Sequence, residues 1–308
     1  MHGAPDALSD ESFAQRLSEL ARRASTEIAP ADETLLPVIL GKLPAGTTLY
    51  IAHPPKTDLD EVVRVAVRAQ SMGFQASPHI VARLLESAGQ LRSALRELKD
   101  GGVEQILLVA GDIERPVGPF ASTLDVIASD VLAEAALPCV GFAGHPEGHK
   151  AIGPTILRKA LQMKQQFARG TQTRAHIVTQ FGFNPAALCA WGSHLAATGI
   201  TLPIHAGIMG PTPLPRLIDF AMRCGVRASL GALIGNMSAM SAPGHVAVRP
   251  DEMLCGLLRS SVAHPAMRLA RVHFYSLGGA VATATWLRAV ADRRFELQRS
   301  SDRLRMLA

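Results

Sequence analysis

Residues 176–207 read HIVTQFGFNPAALCAWGSHLAATGITLPIHAG, and this stretch decides the fold. It opens on a short β-rich run, His176–Phe181, of the nearly continuous kind expected of a parallel strand covered on both faces. A helical pattern, Pro185–Thr198, follows. Gly199 stands where that helix should end in a left-handed cap, and a second β-rich run, Thr201–Gly207, comes directly after it. Strand, helix, glycine and strand make one complete β/α unit and the start of the next.

The same alternation extends in both directions. Further strands are expected at Ser25–Ala29, Thr47–His53, Phe74–Ile80, Gln105–Ala110, Pro138–Gly144 and Arg271–Ser276. Helical periods fill Asp58–Met72, Ala82–Lys99, Thr123–Ala136, Ile156–Arg169 and Pro213–Arg223. In Asp58–Met72, for instance, Val62, Val63, Val65, Ala66 and Ala69 recur at three- and four-residue steps. Gly73, Gly101 and Gly170 repeat the capping role of Gly199. Eight β/α units predict an α/β protein, a single (β/α)8 TIM barrel over residues 23–308 with an extra amphipathic N-terminal helix over residues 1–22. A doubly wound open sheet is the competing architecture, but no GxGxxG follows any strand. Gly231–Pro250, rich in Gly, Ser and Met, reads as a flexible loop or extra helix between the seventh and eighth units.

Composition narrows the function classes. The chain has 308 residues, 48% hydrophobic and 19% charged, enough for a large core without disulfide or metal staples. Net charge is +5, but the basic residues are scattered and only 5% are aromatic, so a small anionic ligand is favoured over nucleic acid. Cys139, Cys189, Cys224 and Cys255 lie far apart with no CxxC, the pattern of buried free thiols in a reducing compartment. The acidic start, MHGAPDALSDESF, has no apolar core of the signal-peptide kind, and no apolar run is long enough to span a membrane. A cytoplasmic location is expected, with no membrane partner. Composition leaves homo-oligomerisation open.

In a barrel of this kind the chemistry sits at the C-terminal ends of the strands. Those ends carry Glu27, His53, His79, Gly111-Asp112, the run His145-Pro146-Glu147-Gly148-His149, Gln180 and His205. So many polar groups on one rim are costly to bury without a ligand. A carboxyl such as Glu27 in an apolar mouth would have its pKa raised and serve as a general acid near neutral pH. Asp112 closes ILLVAGD and can bind an amidine-like heterocycle edge or offset a developing cation, or simply cap the next segment. Gln180 donates and accepts at once, which suits a fused heterocycle. The two histidines of HPEGH sit on a Pro/Gly loop rather than a helix, so no metal site is expected.

Taken in order, LLVAGD, GHPEGH, VTQFGFNP, GITLPIHAGIM and VHFYSL, with a glutamate ending the first strand, resemble the methylenetetrahydrofolate reductase family from about Ser25 to Trp286. The resemblance implies a folate substrate, with Glu27 as general acid, although its setting here is TEIAPA. It implies that Asp112 faces the pterin and the reacting centre, that Gln180 binds the pterin, and that Phe220 packs on the p-aminobenzoate ring. Arg223 or Arg227 would meet the anionic folate tail. The implied reaction is interconversion of 5,10-methylenetetrahydrofolate and 5-methyltetrahydrofolate with NAD(P)H, NADH favoured, in one-carbon and methionine metabolism. The family's FAD positions fall on His53, His79, Gly111, Phe120, Ala121, His145 and His149. Its arginine, tyrosine, aspartate and lysine contacts fall on Ala110, His145, Lys159 and Gln166, and its second-strand threonine on Ala52. Gly182 and Asn184 stand where the family has Phe and Asp. The folate side is kept. On the flavin side His79, Phe120, Ala121 and His149 still match or approximate the family's contacts, but the charged contributors that Ala110 and Gln166 replace are missing, which predicts weak FAD binding and direct hydride transfer from the nicotinamide. Two other readings stay open: a folate-dependent catabolic enzyme running toward methylene-folate, and a redox-inactive folate-binding homologue.

Overall fold

The computed structural model describes residues 9–224, 247–298 and 303–307. Arg227, the side chains of Arg223 and Cys224, and most of Gly231–Pro250 therefore lie outside the described residues. Eight parallel strands close into a barrel: β1 (Ser25–Ile28), β2 (Thr48–Ile51), β3 (Gln75–Val81), β4 (Gln105–Val109), β5 (Cys139–Gly144), β6 (Arg174–Thr179), β7 (Ile204–Met209) and β10 (Leu269–Tyr275). Two short strands, β8 (Thr212–Pro213) and β9 (Ala247–Val248), pair outside it, and β11 (Phe295–Gln298) with β12 (Arg303–Met306) forms an antiparallel ribbon. Around the barrel the order is β1, β10, β7, β6, β5, β4, β3, β2, so the chain winds once and β10 closes on β1. The expected (β/α)8 barrel is the fold.

Helices lie between the strands because each carries one apolar face. Helix α1 (Asp10–Arg22) starts at Ser9, whose hydroxyl accepts from the Ser12 amide at 3.3 Å, and buries Phe13, Leu17 and Ala21. It lies on the helix Ala280–Ala291, where Ser18 Oγ donates to the Ala291 carbonyl at 2.6 Å. A short α2 (Leu36–Leu40) precedes β2. Helix α3 (Leu59–Ser71) buries the Val62, Val63, Val65, Ala66 and Ala69 stripe completely. Then come α4 (Ala88–Asp100), α5 (Thr123–Ala128), α6 (Val131–Ala135), α7 (Pro154–Gly170), α8 (Pro185–Ala197), α9 (Leu214–Cys224) and the helix Asp251–Ala263. Among the described residues no helix is long and apolar enough to cross a membrane. Cys139, Cys189 and Cys255 are buried free thiols.

Three of the boundaries that differ from the sequence reading have a local reason. The helix expected from Ala82 begins at Ala88, because Ser87 Oγ caps it by accepting from the Gln90 amide at 3.0 Å. The helix expected over Thr123–Ala136 breaks at Asp130, whose φ of 62° is left-handed, a conformation Asp tolerates. The strand expected from Thr201 begins at Ile204. Pro203 has no N–H for a ladder, and the Thr201 amide instead donates to Gln165 Oε1 at 2.7 Å.

Candidate active site

Barrel interiors of this class are usually filled by layers of Val, Ile and Leu. This one is polar. Tyr50 Oη and His176 Nε2 are 3.0 Å apart, and β2 and β6 stand four strands apart in either direction, so the bond spans the lumen. Tyr50 is fully buried and its phenol pKa is driven up by that burial. The His176 ring stacks on His205 at 4.0 Å, and its Nδ1 is 3.5 Å from Cys139 Sγ. Burial, reinforced by Arg271, pushes His176 down to about 3, so it is neutral near pH 7.

Above this layer stands Glu27. Its side chain is 13% exposed, and Oε2 lies 3.9 Å from Nε2 of the fully buried His273. His273 Nδ1 is 3.0 Å from Ser25 Oγ, and the His273 ring meets Tyr50 edge-on at 4.6 Å. His79 is pushed down to about 4 by burial, opposed by the Glu27 charge and reinforced by His273 and His53. The surroundings of Glu27 are therefore two histidines and a tyrosine, not the apolar mouth its strand suggested. Alternation explains the grouping: Ser25 and Glu27, Tyr50, Ser77 and His79, and His273 and Tyr275 fall at two-residue steps on neighbouring strands.

An aromatic wall continues from His273. Its ring meets Tyr275 edge-on at 4.6 Å, and Tyr275 meets Phe181 at 5.7 Å. Tyr275 Oη donates to the Thr179 carbonyl at 2.9 Å. A Cβ on Gly207 would lie 2.2 Å from that carbonyl and 2.8 Å from the tyrosine ring, so the closeness of this wall requires the glycine of PIHAG. The half-buried Phe220 packs on the same cluster as Phe181, Met209 and Leu217. Gln180 is the first residue past β6, with its amide donating to the Gly144 carbonyl at 2.9 Å, and it lines a small cleft with Glu147, Phe181 and Gly182. A Cβ on Gly182 would stand 2.9 Å from Glu147 Oε1, so the glycine makes room for the glutamate of HPEGH.

The remaining predicted residues sit further round the rim. Asp112 is exposed on the loop after β4, and its charge opposes the burial that lowers the His149 pKa. Gly111 before it has φ 93°, and a Cβ there would lie 2.4 Å from Val81 Cγ1. The His145 and His149 rings meet edge-on at 5.2 Å, and burial, then His149 and Lys164, push His145 down to about 4. His53 is buried, with Nε2 3.0 Å from the Thr57 carbonyl, and burial lowers its pKa too. Phe120 is buried, whereas Ala121 is exposed with its carbonyl accepting from Arg83 Nε at 2.8 Å. His273, Tyr275 and Ser25 were given no role from sequence. The signal that could have found them is the two-residue spacing of His273 and Tyr275 in VHFYSL.

Three findings place the chain among known proteins. A model of the methylenetetrahydrofolate reductase family matches residues 56–287. The 5,10-methylenetetrahydrofolate reductase of Pectobacterium carotovorum subsp. carotovorum is 25% identical over 156 residues, which is 50% of this chain and 50% of that protein. The match thus spans about half the length of that relative. An uncharacterized protein from Clostridium thermocellum that binds two copies of 5-methyl-5,6,7,8-tetrahydrofolic acid has a similar structure. The TM-score is 0.56 at 11% identity, covering 90% of this chain and 99% of that one. At that identity the likeness is one of fold.

Proposed function

The chain belongs to the methylenetetrahydrofolate reductase family, and from that premise we propose that it interconverts 5,10-methylenetetrahydrofolate and 5-methyltetrahydrofolate, with NAD(P)H, NADH preferred, as its redox partner. The observation that carries this reading is the Glu27 carboxyl set against His273 and His79, beside an aromatic wall that leads to Phe181 and Phe220. Glu27 delivers a proton to N10 of the folate, the bond from N10 to the bridging carbon breaks, and an N5-iminium cation forms. Hydride adds to the exocyclic methylene and leaves a 5-methyl group. One proton and one hydride enter, and one oxidised nicotinamide leaves. In this reading the charge of Asp112, on the loop after β4, favours the cation, and Gln180 binds the pterin edge.

Of the family's charged flavin positions, Ala110 and Gln166 bring no charge and Lys159 alone brings a cation, which does not suit a tightly held FAD. A pyrophosphate needs cations and donors. Ala110 supplies neither, and His145 is neutral at physiological pH because burial holds it down to about 4. Arg83 spends Nε and Nη1 on the carbonyls of Ala121 and Ile113. Gln166, exposed on α7, is uncharged. A nicotinamide co-substrate needs only micromolar to millimolar affinity, so it is the hydride source in this reading.

The Glu27→Gln variant tests the proposal. The amide keeps the shape and loses the proton, so reduction of methylene-folate should fall by at least about a hundredfold while folate affinity changes little. Near-normal turnover would remove Glu27 from the chemistry. Folate binding with no turnover in the unaltered protein under any nicotinamide would favour the binding-protein reading.

A further inference from the structure

The opposite end of the barrel carries a second polar cavity, of about 320 Å³, at the N-terminal ends of the strands. It is lined by Arg174 at the start of β6 and Arg271 near the start of β10. His205, Gln75 and Gln105 line the same space; Gln75 Oε1 accepts from Thr48 Oγ1 at 3.3 Å and Gln105 Nε2 donates to the Gln75 carbonyl at 3.5 Å. Arg271 is half-buried, and its Nη1 donates to Thr48 Oγ1. The charges and titrating groups it feels most are those of Tyr50, Arg23 and Cys139, and no carboxylate is among them. Glu104 also lines the cavity, yet among the described residues no ion pair joins it to either arginine. His205 adds an imidazole whose Nδ1 is buried without a hydrogen bond. Burial and the neighbouring His176 and Arg271 keep His205 uncharged, so it adds no further positive charge to the recess.

Two guanidiniums face one carboxylate across a recess ringed by amides. A partly buried cation without a counter-ion is costly, and burial is offset when an anion with its own acceptors completes the group. We propose that this N-terminal mouth is a binding site for a small organic anion, held through a carboxylate or phosphate group by Arg271 and Arg174 in the recess that Gln75, Gln105 and His205 line. The volume suits a ligand at the lower end of the small-molecule range. The Tyr50–His176 bond crosses the lumen between this site and Glu27, so the two ends hold separate ligands.

Titration calorimetry on the full chain with inorganic phosphate and, separately, malonate tests the site without folate or nicotinamide. Saturable binding of at least one anion is expected, and the tighter of the two names the head group. Arg271→Met should weaken it by about tenfold or more, since a charged hydrogen bond is lost. Glu27→Gln, at the other end, should leave anion binding unchanged. Arg174 is exposed, so Arg174→Gln decides the matter if the Arg271 variant does not fold. No saturable binding of either anion, or binding unaffected by both arginine substitutions, overturns the proposal. Neither result bears on folate reduction, which is measured separately.

Discussion

His273 Nε2 stands 3.9 Å from Glu27 Oε2, while His273 Nδ1 is 3.0 Å from Ser25 Oγ. Ser25 Oγ also donates to the Val272 carbonyl at 3.5 Å. If the serine hydrogen is spent on that carbonyl, Nδ1 of the imidazole carries the ring proton and the Nε2 lone pair faces the glutamate. At 3.9 Å the two atoms are not hydrogen-bonded, so the lone pair acts on a carboxyl hydrogen turned toward it through its field, and in the proposed reaction His273 is a positioning residue for Glu27. His273→Ala is expected to lower kcat by about tenfold or more, a fraction of the full general-acid contribution, with the folate KM moved less than about threefold. His273→Gln, which keeps a hydrogen-bonding tip, should recover part of the loss. A variant whose KM rises at constant kcat would assign His273 to substrate binding instead.

Lys164 gives a stability prediction with a definite sign. It is 7% exposed on the inner side of α7, with its ammonium 5.4 Å from the centre of the Phe142 ring, and burial pushes its pKa down to about 8. The unfolded chain releases that proton only near 10.4. Between these values the unfolded state holds more protons, so stability rises with pH across the window, and at pH 7 the buried charge is a cost. Lys164→Met should therefore stabilise the fold at pH 7 by about 2 kcal/mol, after allowing for the lost cation–ring contact. Urea midpoints between pH 7 and 10 check this: the rise in the parent should flatten in the variant. Destabilisation at pH 7 would mean that the ammonium has an interaction that methionine cannot replace.

How much of this was legible in the sequence depended on how local the cause was. The barrel was legible because β/α alternation and left-handed glycines such as Gly73 and Gly199 act within a few residues, as in His176–Gly207. Gly101, with φ −79°, and Gly170, inside α7, are not the left-handed caps expected. The Ser87 cap and the Asp130 break were missed because one side chain outweighed a longer apolar period. Glu27 was legible as a polar residue at a strand end, but its partners were not. His273 is 246 residues away and reaches Glu27 only because β10 closes on β1. The bond between Tyr50 and His176 likewise needs two opposite walls, which no local pattern contains.

Gly111 governs the loop that carries Asp112. Its φ of 93° is left-handed, and an added Cβ would meet Val81 Cγ1 at 2.4 Å. Gly111→Ala is expected to cost on the order of 1–3 kcal/mol, or to move the loop. If Asp112 favours the iminium, kcat should drop in this variant even at temperatures where the protein remains folded. Unchanged stability and unchanged kcat together would show that the loop adapts freely and that the place of Asp112 does not matter to the reaction.

The proposed loss of the flavin is testable by eye. By the resemblance, Glu27, Asp112, Gln180 and Phe220 keep the residue types of the folate side, while Ala110 and Gln166 fall where charged flavin contacts are expected. Hydrogen bonds to charged groups are worth about 1.5–3 kcal/mol each. Losing two of them weakens a cofactor by roughly two to four decades, enough to turn a retained flavin into one shed during purification. Arg83 keeps its charge but has Nε and Nη1 on two carbonyls of the loop that follows Asp112, so fewer of its donors are left for a phosphate. His145 does not make up the difference, since a ring that titrates at about 4 carries no charge at pH 7. The expected outcome is colourless protein that oxidises NADH only when methylene-folate is present, with added FAD leaving the rate unchanged. Freshly purified yellow protein with stoichiometric flavin, reduced by NADH as fast as turnover, would refute direct transfer and return the hydride to a two-step route.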